Sequence, residues 1–459
     1  MQDKMPAVQT ERAPIAILGV PFDSVNLAEI LTLAGEMIAS GRPHYATTVG
    51  VDFLVQSLED VELRRILFDA HLVVAEEKAV VRAAKILGNP LPENVTVPNL
   101  IPQLLALAEQ KNWRVFLLGV DDAVAGQIRA RHPQLQLVGA YAPPEKPLLE
   151  MDHADIVHRL RAAKPDILLV AFGSPKQEKW INMNYRESGV SFVLGAGIAF
   201  DFLTGAGKPQ KHGVKKLFKF TSAVLRQWLR LRSRKSPPVT GPAEVVPDAF
   251  GNLVIHAPHQ LGAAEAQTYR AEWLRAVESG HIMFDLSATE ATDSTGIGLL
   301  IRLRKRAREL GHQFFLVAPR PSLAAALRLM KLDEFFTVQA SVAGAHILLE
   351  SLARSPVVTS GLQATGLQIR WSGEVTALNA VELGVHTESE LSQTSSGMAV
   401  VIDLSRVTFV DSTGIGLMLR FKKNLKRRDI NLKFANATAP VRNVLRHTQL
   451  EEYLLDEGK

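Results

Sequence analysis

PDILLVAFGSPKQEKWINMNYRESGVSFVLGAGIAFDFLTGAG, residues Pro165 to Gly207, decides the fold of this chain. Ile167 to Phe172 is an unbroken apolar run, the pattern of a strand buried on both faces of a parallel sheet. It stops at Gly173-Ser174-Pro175, and the polar Lys176, Gln177, Glu178 and Lys179 lead into a segment whose Trp180 and Ile181 predict a helix packed back on the sheet. A second run, Phe192-Val193-Leu194, ends in Gly195-Ala196-Gly197 and reaches another predicted helix through Ala199 to Leu203. Both runs end in small residues at the sheet edge where open α/β folds hold ligands. Glycine there lets a phosphate or sugar reach the backbone, and a following helix offers free N–H groups to an anion. Gly173, Ser174, Lys176, Gln177, Gly195, Gly197 and Asp201 are therefore candidate ligand-binding residues. Ordinary strand-to-helix turns use the same glycines; the polar cluster directly behind the first turn favours the ligand.

A length of 459 residues predicts two to four domains, with the composition of a globular protein. The chain has no cysteine, which excludes disulfides, thiolate metal sites and cysteine nucleophiles and suits a reducing cytoplasm. The first fourteen residues lack a signal-peptide core, and no apolar run is long enough to span a bilayer.

The net charge of +5 is concentrated in one place. Lys208 to Lys235 holds ten Lys or Arg and no Asp or Glu; without them the chain has 42 basic against 47 acidic residues. At helical spacing Val214, Leu217, Phe218, Leu225, Trp228 and Leu229 share one face, while Lys215, Lys216, Lys219, Arg226 and Arg230 share the other. That pattern predicts a helix lying in the headgroup plane of an anionic membrane. A domain-closing helix with a solvated basic face is the alternative. A nucleic-acid surface is not expected, because the apolar face is too strong.

GSPKQEKWI followed by GAGIAFDFLTG resembles the WecG/TagA/CpsF family of bacterial glycosyltransferases, and the likeness runs from Leu18-Gly19-Val20-Pro21-Phe22-Asp23 to about Lys208. The resemblance implies an inverting transfer, without metal or other cofactor, of an N-acetylhexosamine from its UDP donor to a polyprenyl-diphosphate-linked sugar. N-acetylmannosamine is the first expectation for the donor. It also implies that a basic C-terminal appendage reaches the lipid-linked acceptor, placing the protein in the cytoplasm on the inner face of the plasma membrane. In Arg42 to Leu54, Thr48 matches the family's threonine, while Gly50 and Asp52 stand where asparagine and glutamate are usual. Thr48 is suited to orienting a sugar hydroxyl or to capping a helix. His71 to Glu77 matches the strand that ends Ala-Asp-Gly in the family, so Glu76 takes the place of the aspartate base and Glu77 that of the glycine. A base must come within about 3 Å of its proton, so the extra methylene and the lost space both matter. Asn94 and Asn99 replace a customary arginine and aspartate, and Gly119 closes the FLLGG-like turn with Val120 in place of the second glycine. Thr48 and Gln177 are then expected to orient acceptor and leaving group around Glu76.

Beyond the proline-rich linker Ser236 to Pro247 the chain repeats itself. Phe284-Asp285-Leu286-Ser287 returns as Ile402-Asp403-Leu404-Ser405, and Asp293-Ser294-Thr295-Gly296-Ile297-Gly298-Leu299 as Asp411-Ser412-Thr413-Gly414-Ile415-Gly416-Leu417, each 118 residues later. Each copy reads as strand, DSTG turn, basic amphipathic helix (Leu299 to Leu310; Leu417 to Leu425), strand and helix. DLS with DSTGIGL resembles the STAS domain of anti-sigma-factor antagonists and anion-transporter tails. The resemblance makes Ser294 and Ser412 phosphorylation candidates for a partner kinase, with an anti-sigma-like protein as a further partner. Capping by Asp or Ser in a plain binding module explains the same residues. Thr289, Ala291 and Thr292 stand where the second copy has Val407, Phe409 and Val410, which predicts looser packing in the first.

The expected architecture is thus α/β throughout: a doubly wound, Rossmann-like parallel sheet over residues 1–207, a basic appendage at 208–235, a linker at 236–249, one STAS domain at 250–354, a second linker at 355–366, and the other STAS domain at 367–459. The rival to a transferase is a catalytically impaired sensor or scaffold that binds the nucleotide sugar and signals through its STAS domains.

Overall fold

The computed structural model describes residues 12–197, 200, 214–231, 243–248, 252–333, 335–354, 358–363, 366–377, 379–392, 394 and 398–455. They form two compact units, one reaching to residue 347 without 60–62 and 147–150, the other made of those two short segments and 348–459.

The first unit opens with an antiparallel hairpin, β1 (Ile15–Ile17) and β2 (Val20–Phe22). The chain bends back on itself at Leu18-Gly19, both in the left-handed region. Asn26 caps the next helix in a capping box with Glu29, and helix α1 runs over Leu27–Ala39. Strands β3 (His44–Val49), β4 (Leu72–Ala75), β5 (Arg114–Leu118), β6 (Gln136–Tyr141), β7 (Ile167–Val170) and β8 (Phe192–Gly195) follow. They make an all-parallel sheet in the order β4-β3-β8-β7-β5-β6. The connections carry α2 (Val51–Ser57), α3 (Val61–Asp69), α4 (Lys78–Ile86), α5 (Val97–Lys111), α6 (Asp122–Arg131), α7 (His153–Ala163) and α8 (Lys176–Ser188). β7 and β8 are buried along their whole length, as their uninterrupted apolar runs require. β4 is an edge strand, so β3 is its only neighbour in this sheet.

Helix α9 (Val214–Leu231) is the basic helix. Its buried side is formed by Phe220, Ala223, Val224 and Gln227. The Gln227 side chain accepts the Leu18 N–H at 2.7 Å and donates to the Ala16 carbonyl at 2.8 Å, fixing α9 to the hairpin. The face singled out from periodicity is the one left outside: Phe218 is 73% exposed, Leu229 55%, Leu225 52% and Leu217 43%.

The first repeat completes this unit up to residue 347, within its last helix. Its elements are β9 (Glu244–Pro247), β10 (Leu253–His256), β11 (Gln260–Leu261), α10 (Ala263–Ser279), β12 (Ile282–Asp285), β13 (Ala291–Thr292), α11 (Ser294–Glu309), β14 (Phe314–Val317), α12 (Pro321–Leu329), β15 (Thr337–Gln339) and α13 (Val342–Arg354). The sheet order is β15-β14-β12-β10-β9, antiparallel only at β9, with β11 and β13 paired separately. One hydrophobic cluster holds Trp273, Phe284, Ile297, Leu300 and Phe335 of this repeat together with Ala13, Ala16 and Phe68 of the N-terminal part. Phe68 meets Phe335 edge-on at 4.4 Å.

The second unit carries the other repeat: β16 (Val358–Gln363), β17 (Gly366–Val375), α14 (Ala380–Leu391), β18 (Ala399–Val410), α15 (Ser412–Arg427), β19 (Asn431–Ala435), α16 (Ala439–His447) and α17 (Glu451–Leu455). Its sheet runs β16-β17-β18-β19 with β16 antiparallel.

In both repeats the helix begins at the DSTG motif itself, several residues before the expected start. Asp293 and Asp411 are N-caps: Asp293 accepts from the Thr295 and Gly296 N–H groups, Asp411 from that of Gly414. The predicted looseness of the first repeat is not seen. Thr289 is buried with its hydroxyl donating to the Pro258 carbonyl at 2.9 Å, and that of Thr292 donates to the Leu261 carbonyl at 2.8 Å. What the substitutions change is strand length. β12 has four residues and stops before the threonines, whereas β18, with Val407, Phe409 and Val410, continues for twelve.

Candidate active site

The C-terminal ends of β3, β4, β7 and β8 surround a cavity of about 240 Å³. Thr48 and Glu76 line one side; Gly173, Ser174, Gln177, Glu178, Gly195 and Gly197 line the other. Thr48 is next to last in β3 and Glu76 follows β4, whose pairing places Thr48 beside Val74 and Val49 beside Ala75. The Glu76 N–H donates to the Val49 carbonyl at 3.1 Å, and the Thr48 hydroxyl reaches a Glu76 carboxylate oxygen at 3.4 Å. The longer side chain thus stays in the cavity, half-buried.

Glu77 does not plug the cleft. Its Oε1 accepts the Val51 N–H at 2.9 Å, binding the first turn of α2. A Cβ on Gly50 would lie 2.1 Å from that oxygen, so the glycine makes room for the glutamate. The two departures at Gly50 and Glu77 are one matched change. Asn94 is turned onto the backbone, its Nδ2 donating to the Glu76 carbonyl at 3.1 Å.

Across the cavity, α8 starts directly after the Gly173 turn and buries Gln177 and Glu178 in its first turn. Gln177 Nε2 donates to Glu178 Oε1 at 2.7 Å. A Cβ on Gly195 would lie 2.7 Å from that amide nitrogen, so β8 can pass this close only with glycine there. Gln177 Oε1 and Glu178 Oε2 are buried without a protein partner. Burial raises Glu178 to about 7, opposed by its hydrogen bonds to Gln177 and Ser174 and reinforced by the charge of Glu76. Near neutral pH Glu178 is therefore available as a hydrogen-bond donor. Its place in the polar cluster behind the glycine turn was legible in the sequence; its burial was not.

Two expected residues are not on the cavity. Lys176 donates to the Lys146 carbonyl at 2.7 Å and lies over the Phe172 ring. Gly119 is a packing position, where a Cβ would meet the Ala171 carbonyl oxygen at 2.7 Å. Asp201 lies outside the described residues. Lys216 of α9, not expected from sequence, does line the cavity and pairs with Asp52 at 3.0 Å. Ser294 and Ser412 open α11 and α15, and Ser294 is fully buried, its hydroxyl without a protein partner.

A doubly wound parallel sheet with a polar cavity at its strand ends, followed by two repeats built on DSTG helices, defines the class of protein. Residues 15–234 match the model of the glycosyl transferase WecG/TagA/CpsF family, and residues 242–345 and 357–457 each match that of the STAS domain. The N-terminal half is thus a WecG/TagA/CpsF-family module and the C-terminal half a pair of STAS domains. Among curated proteins the chain is similar to the N-acetylglucosaminyldiphosphoundecaprenol N-acetyl-beta-D-mannosaminyltransferase of Staphylococcus aureus strain MW2. They are 24% identical over 238 residues, 50% of this chain and 92% of the relative. The protein of that name from strain NCTC 8325 / PS 47 matches to the same extent. Among solved structures, the anti-sigma factor antagonist SpoIIAA in its unphosphorylated form is 19% identical, covering 21% of this chain and 85% of its own, with a TM-score of 0.19. Among the described residues no helix is long and apolar enough to cross a membrane.

Proposed function

We propose that the N-terminal module is an inverting glycosyltransferase acting on a polyprenyl-diphosphate-linked sugar, with UDP-N-acetylmannosamine as donor. The observation that carries this reading is the pairing of Thr48 with Glu76 in a cavity whose opposite wall is Gln177 and Glu178. Glu76 takes the proton of the acceptor hydroxyl. The acceptor oxygen then bonds to the anomeric carbon from the face opposite UDP, and the bond from that carbon to the diphosphate oxygen breaks with its electron pair leaving on UDP. Thr48 holds the Glu76 carboxylate; the glycine turns admit the nucleotide sugar, and Gln177 and Glu178 supply donors to the leaving side. Lys216 places a positive charge at the cavity where Asn94 does not. The exposed Leu217, Phe218, Leu225 and Leu229, flanked by Lys216, Lys219, Arg226 and Arg230, suit the surface of an anionic membrane carrying the acceptor.

The test is transfer from UDP-N-acetylmannosamine to an N-acetylglucosaminyl-diphosphate-polyprenol by the full chain. Product is expected, with Glu76→Gln lowering kcat by at least about 10²-fold and leaving UDP affinity unchanged. UDP binding without product favours the second reading, a nucleotide-sugar sensor acting through the STAS domains. The observation behind that reading is that Asn94, in the customary arginine's place, spends its amide on the backbone.

A further inference from the structure

β4 brings Glu76 to the cavity, yet within the sheet only β3 supports it. On its open side its start is held by Asp23, whose N–H donates to the Val73 carbonyl at 2.9 Å and whose Oδ2 accepts the Val73 N–H at 2.8 Å, and its end by the Val95 N–H, which donates to the Ala75 carbonyl at 2.8 Å. The Asp23 side chain is fully buried, and its Oδ1 is met by the guanidinium of Arg302 from α11 of the first STAS copy. Two further cations follow on α11 at three-residue spacing, the separation that keeps side chains on one helix face. Lys305 donates to the Ala70 carbonyl at 2.7 Å, and Arg308 binds both Asp69 carboxylate oxygens at 2.9 and 3.2 Å. All three therefore act on the start of β4, a few residues before Glu76.

The contact is not a loose tether. Gly298, one turn before Arg302 on the same helix, lies so close to Pro14 that a Cβ would come within 2.1 Å of its carbonyl oxygen. Ser294 is one turn earlier again on that face, which accords with its complete burial. We infer that the first STAS copy is a working part of the transferase module: α11 positions β4, and through it the Glu76 carboxylate, with Arg302 as the positioning residue. This rests on reading Glu76 as the base. A buried carboxylate fixes its neighbours only while its counter-charge is present. Without Arg302, Asp23 loses the guanidinium that α11 presents to its buried carboxylate, and the start of β4 loses that support, while its end keeps the Val95 N–H on the Ala75 carbonyl.

Two variants of the full chain test this: Arg302→Met, and the double variant Asp23→Asn/Arg302→Met, which removes both buried charges and stays foldable if the single variant does not. Arg302→Lys is the conservative rescue and Arg420→Met, in the other copy, the control. Amide hydrogen exchange at Val73 to Glu76 is expected to accelerate at least tenfold in both test variants, to recover in part in Arg302→Lys, and to stay unchanged in Arg420→Met. In the transfer assay kcat is expected to fall at least tenfold with the donor KM within twofold, a split that general loosening of the nucleotide site would not give. A folded double variant with wild-type exchange at residues 73–76, or with wild-type kcat, overturns the inference. If the wild-type chain makes no product, the reading of Glu76 as base fails while the exchange measurement still decides whether α11 holds β4.

Discussion

In the first STAS copy Gly298 is pressed against Pro14, and Arg302, Lys305 and Arg308 end on Asp23, Ala70 and Asp69. In the second copy, 118 residues on, the same helical positions hold Gly416, Arg420, Lys423 and Lys426. There a Cβ on Gly416 would meet nothing within 4 Å, and all three cations are exposed. The motif and the charge pattern are therefore shared, and the occupant of the helix face is not. What differs lies outside the repeat: a hairpin and two carboxylates that the N-terminal module presents to α11. Along this stretch α11 is packed and α15 is not; α15 has its own partner from outside the repeat at its first residue, where the Glu62 carboxylate accepts the Ser412 N–H.

The comparison breaks most readily at the arginines. Arg302→Ala takes the guanidinium away from the fully buried Asp23 carboxylate, with Lys305 left as the nearby positive charge, and costs up to about 3–5 kcal/mol. Arg420 pairs with Glu388 at 3.4 Å, both side chains more than half exposed, so Arg420→Ala costs no more than about 1 kcal/mol. Urea unfolding is the measurement. Amide hydrogen exchange in urea reports the two units separately, in β12, which packs against the buried Trp273, and in β17, which carries the buried Trp371. Equal losses from the two substitutions would mean that α11 is no more committed than α15.

Much of the transferase module was legible because its signals are local. Unbroken apolar runs marked β7 and β8 as strands buried on both faces, and the glycines after them marked the cavity. The repeat was legible because seven residues recur in register. The character of Glu178 was not legible because it comes from burial by distant strands, which the sequence around it does not record. Lys176 and Gly119 were misplaced for a related reason: a motif gives spacing along the chain, while side-chain direction depends on what packs opposite. The basic helix shows the same limit. Its amphipathic pattern was real, but the side that packs is the one carrying Phe220, Val224 and Gln227, and the strongest apolar face points outward. Least legible was the docking of α11, since the same pattern of cations in two copies cannot announce that Asp23 and Asp69, more than two hundred residues away, will meet only one set.

A second contrast is in pH dependence. Burial pulls the Lys305 ammonium down to about 8; Glu309 opposes the shift, Arg302 adds to it, and Asp69 and Asp23 oppose it. The folded value lies below that of the unfolded chain, so between about pH 8 and 10.5 the folded state binds fewer protons than the unfolded one. Stability accordingly rises with pH through that window, by at most about 3 kcal/mol, and the penalty of the buried charge is present in full below it. Lys305→Met is expected to remove this slope, seen as the difference between variant and wild type in urea unfolding at pH 7.5, 9 and 10. A variant whose stability tracks the wild type across the window would show that Lys305 is solvated.

The smallest effect is the most discriminating, because one substitution at one helical position is expected to act with opposite signs. Alanine is preferred over glycine inside a helix by about 1 kcal/mol, since it loses less backbone freedom on folding. At Gly416 nothing opposes that preference, so Gly416→Ala is expected to stabilise the second unit by up to about 1 kcal/mol. At Gly298 the new methyl would lie 2.1 Å from the Pro14 carbonyl oxygen and 2.7 Å from its carbon, both backbone atoms that cannot rotate away. The hairpin or α11 must then shift, and overpacking of this kind costs about 1–3 kcal/mol, enough to cancel or reverse the gain. Thermal unfolding of the two single variants reads the sign directly. If both are stabilised, the hairpin yields to α11 at little cost, and the first copy is held to the transferase by its three cations instead of by close packing.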